Sequence, residues 1–531
     1  MESGLHAAEL VYLILLGFVV IFATLARKLD TPYPIVLVIA GLALSFVPGT
    51  PRVTLDPQFV FLVILPPLLY SAAWQTSWRD FRYNLTSISM LAFGLVAFTV
   101  IGVGMLARWI IPDLDWRLGL VLGAVVAPTD AIAATSIARR IGLPRNIVDI
   151  LEGESLLNDA SGLLALEFAI TLLVNGQSPT LGQEIVRFLV LTIGGIAIGL
   201  AVGALIDQVE RRINDGPTEF TISILTPYTA YLAAEAAHAS GVLAVIACGL
   251  YLSRKSVNFF SANVRLQVWN AWDALEFILN GLIFVLIGLQ LPSIMSGLKG
   301  YSITTLLLYG LLFSGMLIAL RLIWVFPGGL IATFIRRRLL GQSIPTPTPR
   351  TLFVVGWTGM RGVLSLAAAQ SIPLTMGDGR PLPHRDLIIF LTFSVILVTL
   401  VLQGLSLAPI VKALGLGGAA GPDWEEKEAR RIVIDAGLRY LAESRAHVAK
   451  ELAPVYDDLA HHYEQRLLEI SSERKSDTMA RDQLALHRRL KLELVQLERE
   501  TVVQLRDQGR INDSVLRTLE RELDLNEARM G

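Results

Sequence analysis

Gly153-Glu154-Ser155-Leu156-Leu157-Asn158-Asp159-Ala160 is a polar octet inside a run, Ile147 to Val174, that is otherwise apolar enough to lie in a bilayer. An acid at the centre of a spanning helix costs about 2.5–3.5 kcal/mol on insertion scales. Two acids and an amide within six residues therefore need partners or a purpose. At 100° per residue Glu154 and Asn158 form one i,i+4 pair and Ser155 and Asp159 form the adjacent one. All four share a polar strip, and Leu156, Leu157 and the residues from Leu163 to Leu166 cover much of the remaining circumference. The octet reads as a membrane helix whose strip faces protein or water, which makes the fold an all-α membrane bundle.

Two other apolar runs carry matching irregularities. Gly123-Ala124-Val125-Val126-Ala127-Pro128-Thr129-Asp130-Ala131 contains a proline, which removes an amide donor and clashes with the preceding turn. Gly356-Trp357-Thr358-Gly359-Met360-Arg361-Gly362 places two glycines around an arginine at membrane depth. Both runs are expected to break. Broken helices in corresponding halves point to a transporter's substrate site, because unwound backbone and half-helix ends supply polar groups near the midplane. Helix N-termini carry partial positive charge and C-termini partial negative charge. If the two breaks cross, Asp130 is placed to compensate the first kind of end and Arg361 the second.

Over 531 residues, 53% are hydrophobic and 17% charged, and the mean hydropathy of +0.56 is far above that of a soluble globular chain. A window of about 20 apolar residues spans a bilayer. Thirteen candidate spans are centred near residues 17, 41, 66, 98, 126, 160, 196, 228, 246, 279, 314, 361 and 398, the ninth short and the fifth and twelfth interrupted. With the N-terminus outside, the inner loops carry 16 Lys and Arg, from Arg27 and Lys28 through Arg336, Arg337, Arg338 and Arg350. The outer loops then carry 5, namely Arg52, Arg117, Lys299, Arg380 and Arg385. This bias is the positive-inside rule, and an odd span count puts the C-terminal tail in the cytoplasm. The opening stretch lacks a basic residue before its apolar run and is expected to be a retained first span, not a signal peptide. Cys248 is the only cysteine, which excludes an intramolecular disulfide and disfavours thiolate metal chemistry.

The character changes after residue 412. Residues 413–422 are a Gly-rich linker, and 423–531 hold 23 of the 46 acids and 19 of the 45 bases, so this part reads as a soluble helical cytoplasmic domain. Its apolar residues recur at helical spacing, as in Leu486, Leu490, Leu494, Leu497 and in Ile511, Val515, Leu519, Leu523, with Asp513 or Ser514 able to cap. Helix packing, within this domain or with a second copy, is the expected use. It offers no phosphate-binding loop, metal-ligand cluster or basic nucleic-acid stripe; His461 and His462 lie among acids and are expected to face solvent.

GESLLNDASG, APTDAIAA, TGMRGVLSLA, AYLAAEAAHASGVLAVIACGLYL (230–252) and FILNGLIFVLIGLQLP (277–292) together resemble the sodium/proton exchanger family of monovalent cation:proton antiporters, in its bacterial branch with a cytoplasmic tail. The similarity covers residues 5 to 412 in the expected order. It implies about thirteen transmembrane helices with inverted repeats and two crossing broken helices, a core moving against a dimerising scaffold, and no cofactor besides the transported cation, Na+, and H+. It also implies a secondary transporter instead of an enzyme, a homodimer of the inner membrane. By that resemblance Asp159 of the Asn158-Asp159 pair is the ion and proton site, with Ser155, Thr129 and Asp130 as neighbours, and Glu154 pairs with Arg361. Some relatives carry an acid where Ser71 stands after Pro66-Pro67, and some carry Glu where Asn280 stands; both departures lower the charge near the core.

From the residues themselves the expected mechanism is competition for one carboxylate. A proton and a dehydrated monovalent cation are alternative occupants of Asp159, and hard oxygen ligands from Ser155, Thr129 and the broken backbone suit an alkali cation. A Glu154–Arg361 pair would leave one titrating acid and make exchange electroneutral. Arg321 and Trp324 are expected to snorkel or pack at an interface. A potassium-selective antiporter of the same fold is the nearest alternative; a membrane sensor with a signalling tail explains the tail but neither break. A channel needs a continuous pore with symmetric rings of groups, which one asymmetric cluster does not supply.

Overall fold

The computed structural model describes residues 2–48, 55–175, 181–213, 215–256, 262–298, 300–376, 379–417, 424–447, 453–472, 478–508, 510, 515–516, 519–520 and 522–524. Among these the chain is helical apart from turns, irregular connections such as 341–348 and one isolated bridge between Thr375 and Pro381. It forms two compact units, Met1–Ala420 and Gly421–Gly531. The expected cap at Asp513 or Ser514, and residues 418–422 of the 413–422 linker, lie outside the described residues.

The first unit contains α1 (Glu2–Lys28), α2 (Tyr33–Ser45), α3 (Pro57–Gln75), α4 (Trp78–Ile110), α5 (Trp116–Val126), α6 (Ala131–Arg140), α7 (Arg145–Asn175) and α8 (Leu181–Glu210). It continues through α9 (Gly216–Ala236), α10 (Gly241–Lys255), α11 (Ala262–Leu289), α12 (Ile303–Arg338), α13 (Pro349–Trp357), α14 (Val363–Gln370) and α15 (Arg385–Ala413). Of the thirteen expected centres, twelve fall within a helix, and the one near 361 falls in the gap between α13 and α14. Seven described helices (α3, α4, α7, α8, α11, α12 and α15) are long and apolar enough to cross a membrane, and the pair α5–α6, bent by 41°, makes eight.

Local chemistry explains the departures from regular helix. Pro66 and Pro67 cannot donate to the preceding turn, and the turn before them, Val60–Ile64, is widened to π geometry. A second π turn, Met90–Leu95, releases carbonyls that side chains then use: Trp324 Nε1 donates to Met90 O at 3.0 Å and Ser161 Oγ to Ala92 O at 2.5 Å. Small residues set the tightest crossings. On α2 and α11 a Cβ at Gly41 would lie 2.5 Å from Val285 O, and one at Gly288 would lie 2.4 Å from Val38 O. Without a hydrophobic drive between helices in lipid, such backbone approaches supply much of the association.

The second unit contains α16 (Trp424–Arg445), α17 (Ala453–Ser472) and α18 (Thr478–Asp507). Gly437 of α16 receives the Tyr463 ring of α17, and Arg445 pairs with Asp457. On α18 Val495 is buried, whereas Leu490, Leu494 and Leu497 are exposed in the single chain. His461 and His462 are exposed, and His461 contacts Gln465.

Candidate functional site

The α5 helix ends at Val126, and the chain is non-helical through Pro128 and Thr129 until Asp130 caps α6, its Oδ1 accepting from Ile132 N at 2.8 Å. The ring of Pro128 nests against α7 where no side chain stands: a Cβ at Gly162 would lie 2.3 Å from Pro128 Cγ. The second break, 358–362, meets the first directly. Asp130 N donates to Met360 O at 2.8 Å, and a Cβ at Gly362 would lie 2.4 Å from Asp130 Oδ2. Gly362 therefore exists to let the Asp130 carboxylate lie against the first turn of α14. Two helix N-termini, α6 and α14, converge on one acid, as their partial charge requires.

Arg361 serves the opposite ends. Its Nε donates to Val126 O, the last carbonyl of α5, and its Nη1 to Gly359 O at 2.7 Å, while its backbone N donates to Thr399 Oγ1 at 3.1 Å. Broken helices leave terminal carbonyls without amide partners, and in a dry interior a guanidinium is the strongest donor to hand. The Glu154–Arg361 pair expected from sequence is accordingly not formed. Glu154 pairs instead with Arg321 of α12, with Nη1 on Oε1 at 2.5 Å and Nη2 on Oε2 at 2.8 Å, and the two side chains are 1% and 2% exposed. Arg321 Nη2 also reaches Val355 O at 3.2 Å, and Gly359 is bare beneath its side chain: a Cβ there would lie 2.2 Å from Arg321 Cδ.

The polar strip of α7 thus divides lengthwise. On its dry edge Asn158 Nδ2 donates to Thr129 Oγ1 at 2.6 Å and Thr129 Oγ1 donates to Glu154 Oε1 at 3.0 Å, forming a chain that ends on the Arg321 ion pair. Asn158 Oδ1 is buried and accepts nothing among the described residues. On the wet edge Ser155 Oγ accepts from Ala131 N at 3.2 Å, and Asp159 lines a cavity of about 260 Å³. Thr129, Asp130 and Ser155 line the same cavity. Asp159 is half-buried, and among the described residues its carboxylate takes no hydrogen bond and no ion pair.

A carboxylate free of protein partners, at the crossing of two broken helices in a membrane bundle, is the arrangement the octet foreshadowed. A family profile described as sodium/hydrogen exchanger, transmembrane, matches residues 14–413. The chain belongs to that exchanger family. This exchanger is 34% identical to a protein of Mycobacterium tuberculosis strain H37Rv named an uncharacterized Na+/H+ exchanger, over 100% of this chain and 97% of that one. It is 35% identical to the Bacillus subtilis protein named sodium, potassium, lithium and rubidium/H+ antiporter, over 74% of this chain and 60% of that one. Its fold matches that of the sodium proton antiporter MjNhaP1 from Methanocaldococcus jannaschii with a TM-score of 0.59 at 20% identity, covering 78% of this chain and 100% of that one. The exchanger is therefore a multi-pass membrane antiporter for cations and protons.

Two of its site residues were misread or unread in the sequence. Arg321 does not snorkel: it stands 17 residues from the nearer end of α12, about 26 Å at 1.5 Å per residue, beyond any arginine side chain. That depth was a usable signal. Trp324 packs inward, its ring centroid 5.1 Å from that of Phe98. Glu276 of α11 was not singled out, yet it lines the Asp159 cavity and accepts from Ser71 Oγ at 2.9 Å and Gln75 Nε2 at 3.2 Å. Its signal was the i,i+4 spacing to Asn280, which lines the cavity as well. Glu235 and His238 are exposed, and Ser240 caps α10.

Proposed function

We propose that this exchanger trades one monovalent cation, sodium in the first place, for one proton by alternate occupancy of the Asp159 carboxylate. The observation that carries the reading is that Asp159 opens onto the cavity with no partner of its own among the described residues, while every other charged group at the crossing has one. A dehydrated cation on Asp159 would find further oxygens in Ser155, in the second lone pair of Thr129 and in Asp130, all on the same cavity. Either guest neutralises the site for passage through low dielectric, and the empty anion cannot make the crossing.

Charge bookkeeping supports one-for-one exchange. Glu154 and Arg321 cancel, Asp130 is held by two helix N-termini, and Arg361 is held by C-terminal carbonyls. One acid is left to change its occupant. The pairing differs from the one expected, but the count is the same. Potassium is the second reading for the substrate, favoured by the breadth of cations in the name of the Bacillus subtilis relative. We further read residues 1–412 as the antiporter domain and 423–531 as a cytoplasmic helical domain, in a homodimer of the bacterial inner membrane with its N-terminus outside.

Dissipation of a preset pH gradient in proteoliposomes tests the reading with sodium, lithium and potassium in turn. Cation-dependent dissipation is expected in the wild type and not in Asp159→Asn. With the membrane potential clamped, a voltage-dependent reversal point would reject the one-for-one version.

A further inference from the structure

The cavity that receives Asp159 has a second wall. Asp130, Asp159 and Ser365 come to it from α6, α7 and α14 with their breaks, whereas Tyr33, Glu276 and Asn280 come from α2 and α11. Those last two helices pack on each other through Gly41 and Gly288, apart from the contacts that hold the crossing together. Glu276 is half-buried in that wall, and its two oxygens are treated differently. Ser71 Oγ and Gln75 Nε2 both donate to Oε2, while no hydrogen bond or ion pair among the described residues engages Oε1. One oxygen pins the carboxylate and the other is left for something in the cavity.

Three further observations point to a cation as that something. Ser365 is 1% exposed, lines the cavity, and its Oγ has no partner among the described residues. An orphaned hydroxyl in a dry wall is costly unless a guest engages it. Among the described residues one arginine lines the cavity, Arg139, and it is already spent on Glu152 at 2.7 Å. And the fixed charges left over within the cavity are negative, so a compact cation is the guest they select.

We propose that Glu276 is a second cation-contacting carboxylate, which receives the incoming monovalent cation ahead of Asp159 and sets the apparent affinity for it. The proposal rests on Asp159 being the exchange site. The hydroxyl at 71 donates to the carboxylate supplied from 276, and the amide at 280 lines the same cavity one helical turn further along α11. Glu276 works by raising cation occupancy in the cavity, so it belongs to recognition and leaves the one-for-one count at Asp159 unchanged.

Exchange rate against sodium concentration, in proteoliposomes of the full chain, tests this. Glu276→Gln is expected to raise the KM for sodium roughly ten-fold, the loss of one charged contact, with maximal rate within about two-fold of wild type. Ser71→Ala keeps the charge and loosens only the pin, so its KM moves by less. A wild-type KM in Glu276→Gln, or a maximal rate lost at constant KM, would assign Glu276 to holding α3 against α11 and overturn the proposal. Should that variant not fold, Glu276→Asp decides: the withdrawn carboxylate raises KM several-fold, and an unchanged KM refutes. Titration of sodium into purified protein separates the two readings. Residual weak binding in Asp159→Asn that disappears in the double variant with Glu276→Gln supports Glu276 independently, whereas full exchange in Asp159→Asn defeats the Asp159 reading without touching the KM result.

Discussion

Glu154 and Asp159 are two acids on one helix, less than two turns apart, and the structure gives them opposite fates. Glu154 is 1% exposed and answered on both oxygens by Arg321, with Thr129 and Asn158 queued behind it. Asp159 faces a cavity and is answered by nothing among the described residues. The difference teaches that a charge buried in a membrane protein is structural or functional according to whether its partner is permanent. A permanent partner turns the acid into a girder, and the absence of one turns it into a seat.

That contrast can be broken at several points. The largest effect is expected at the seat: Asp159→Asn should reduce cation-driven proton movement to that of protein-free liposomes while leaving the thermal transition in detergent near wild type, because no protein contact is lost. The girder should respond the other way. Arg321→Met strands a buried carboxylate, with an expected cost of about 3–5 kcal/mol and a correspondingly lowered melting temperature, and Glu154→Leu combined with Arg321→Met should recover much of it. A double-mutant cycle should find strong coupling between Glu154 and Arg321 and weaker coupling between Glu154 and Arg361; the reverse order would restore the pairing first expected. Gly162→Ala drives a methyl into Pro128 and should cost about 1–3 kcal/mol, read as lost stability with impaired exchange. The smallest effect is expected from Ser155→Ala, which removes one acceptor from Ala131 N, worth about 1 kcal/mol, and one candidate oxygen from the cation. A modest rise in KM would show it.

The sequence was informative where chemistry is local. Pro128 and the Gly359–Gly362 frame announce the two breaks because the backbone effects of proline and glycine act within a turn. The Glu154/Asn158 and Ser155/Asp159 pairs announce a polar strip because helical periodicity is local too. Which arginine meets Glu154 is not local: α12 and the second broken helix each bring a guanidinium to membrane depth, and only their packing, with Gly359 bare under Arg321 and free carbonyls around Arg361, chooses between them. Glu276 escaped for a related reason. Glu276 stands one turn before Asn280 on α11, but only the packing of α11 on α3 brings its carboxylate to the hydroxyl of Ser71. The tail shows the limit from the other side: its helical spacing is plain, but Leu490, Leu494 and Leu497 remain exposed in the single chain.

The central claim is that proton and cation exclude each other at Asp159. Its most direct test is the number of protons released when sodium binds to purified protein at acid pH, obtained by calorimetric titration in buffers of different ionisation enthalpy. The account predicts close to one proton per sodium in the wild type and none in Asp159→Asn. Sodium bound by the wild type with no proton released would contradict it.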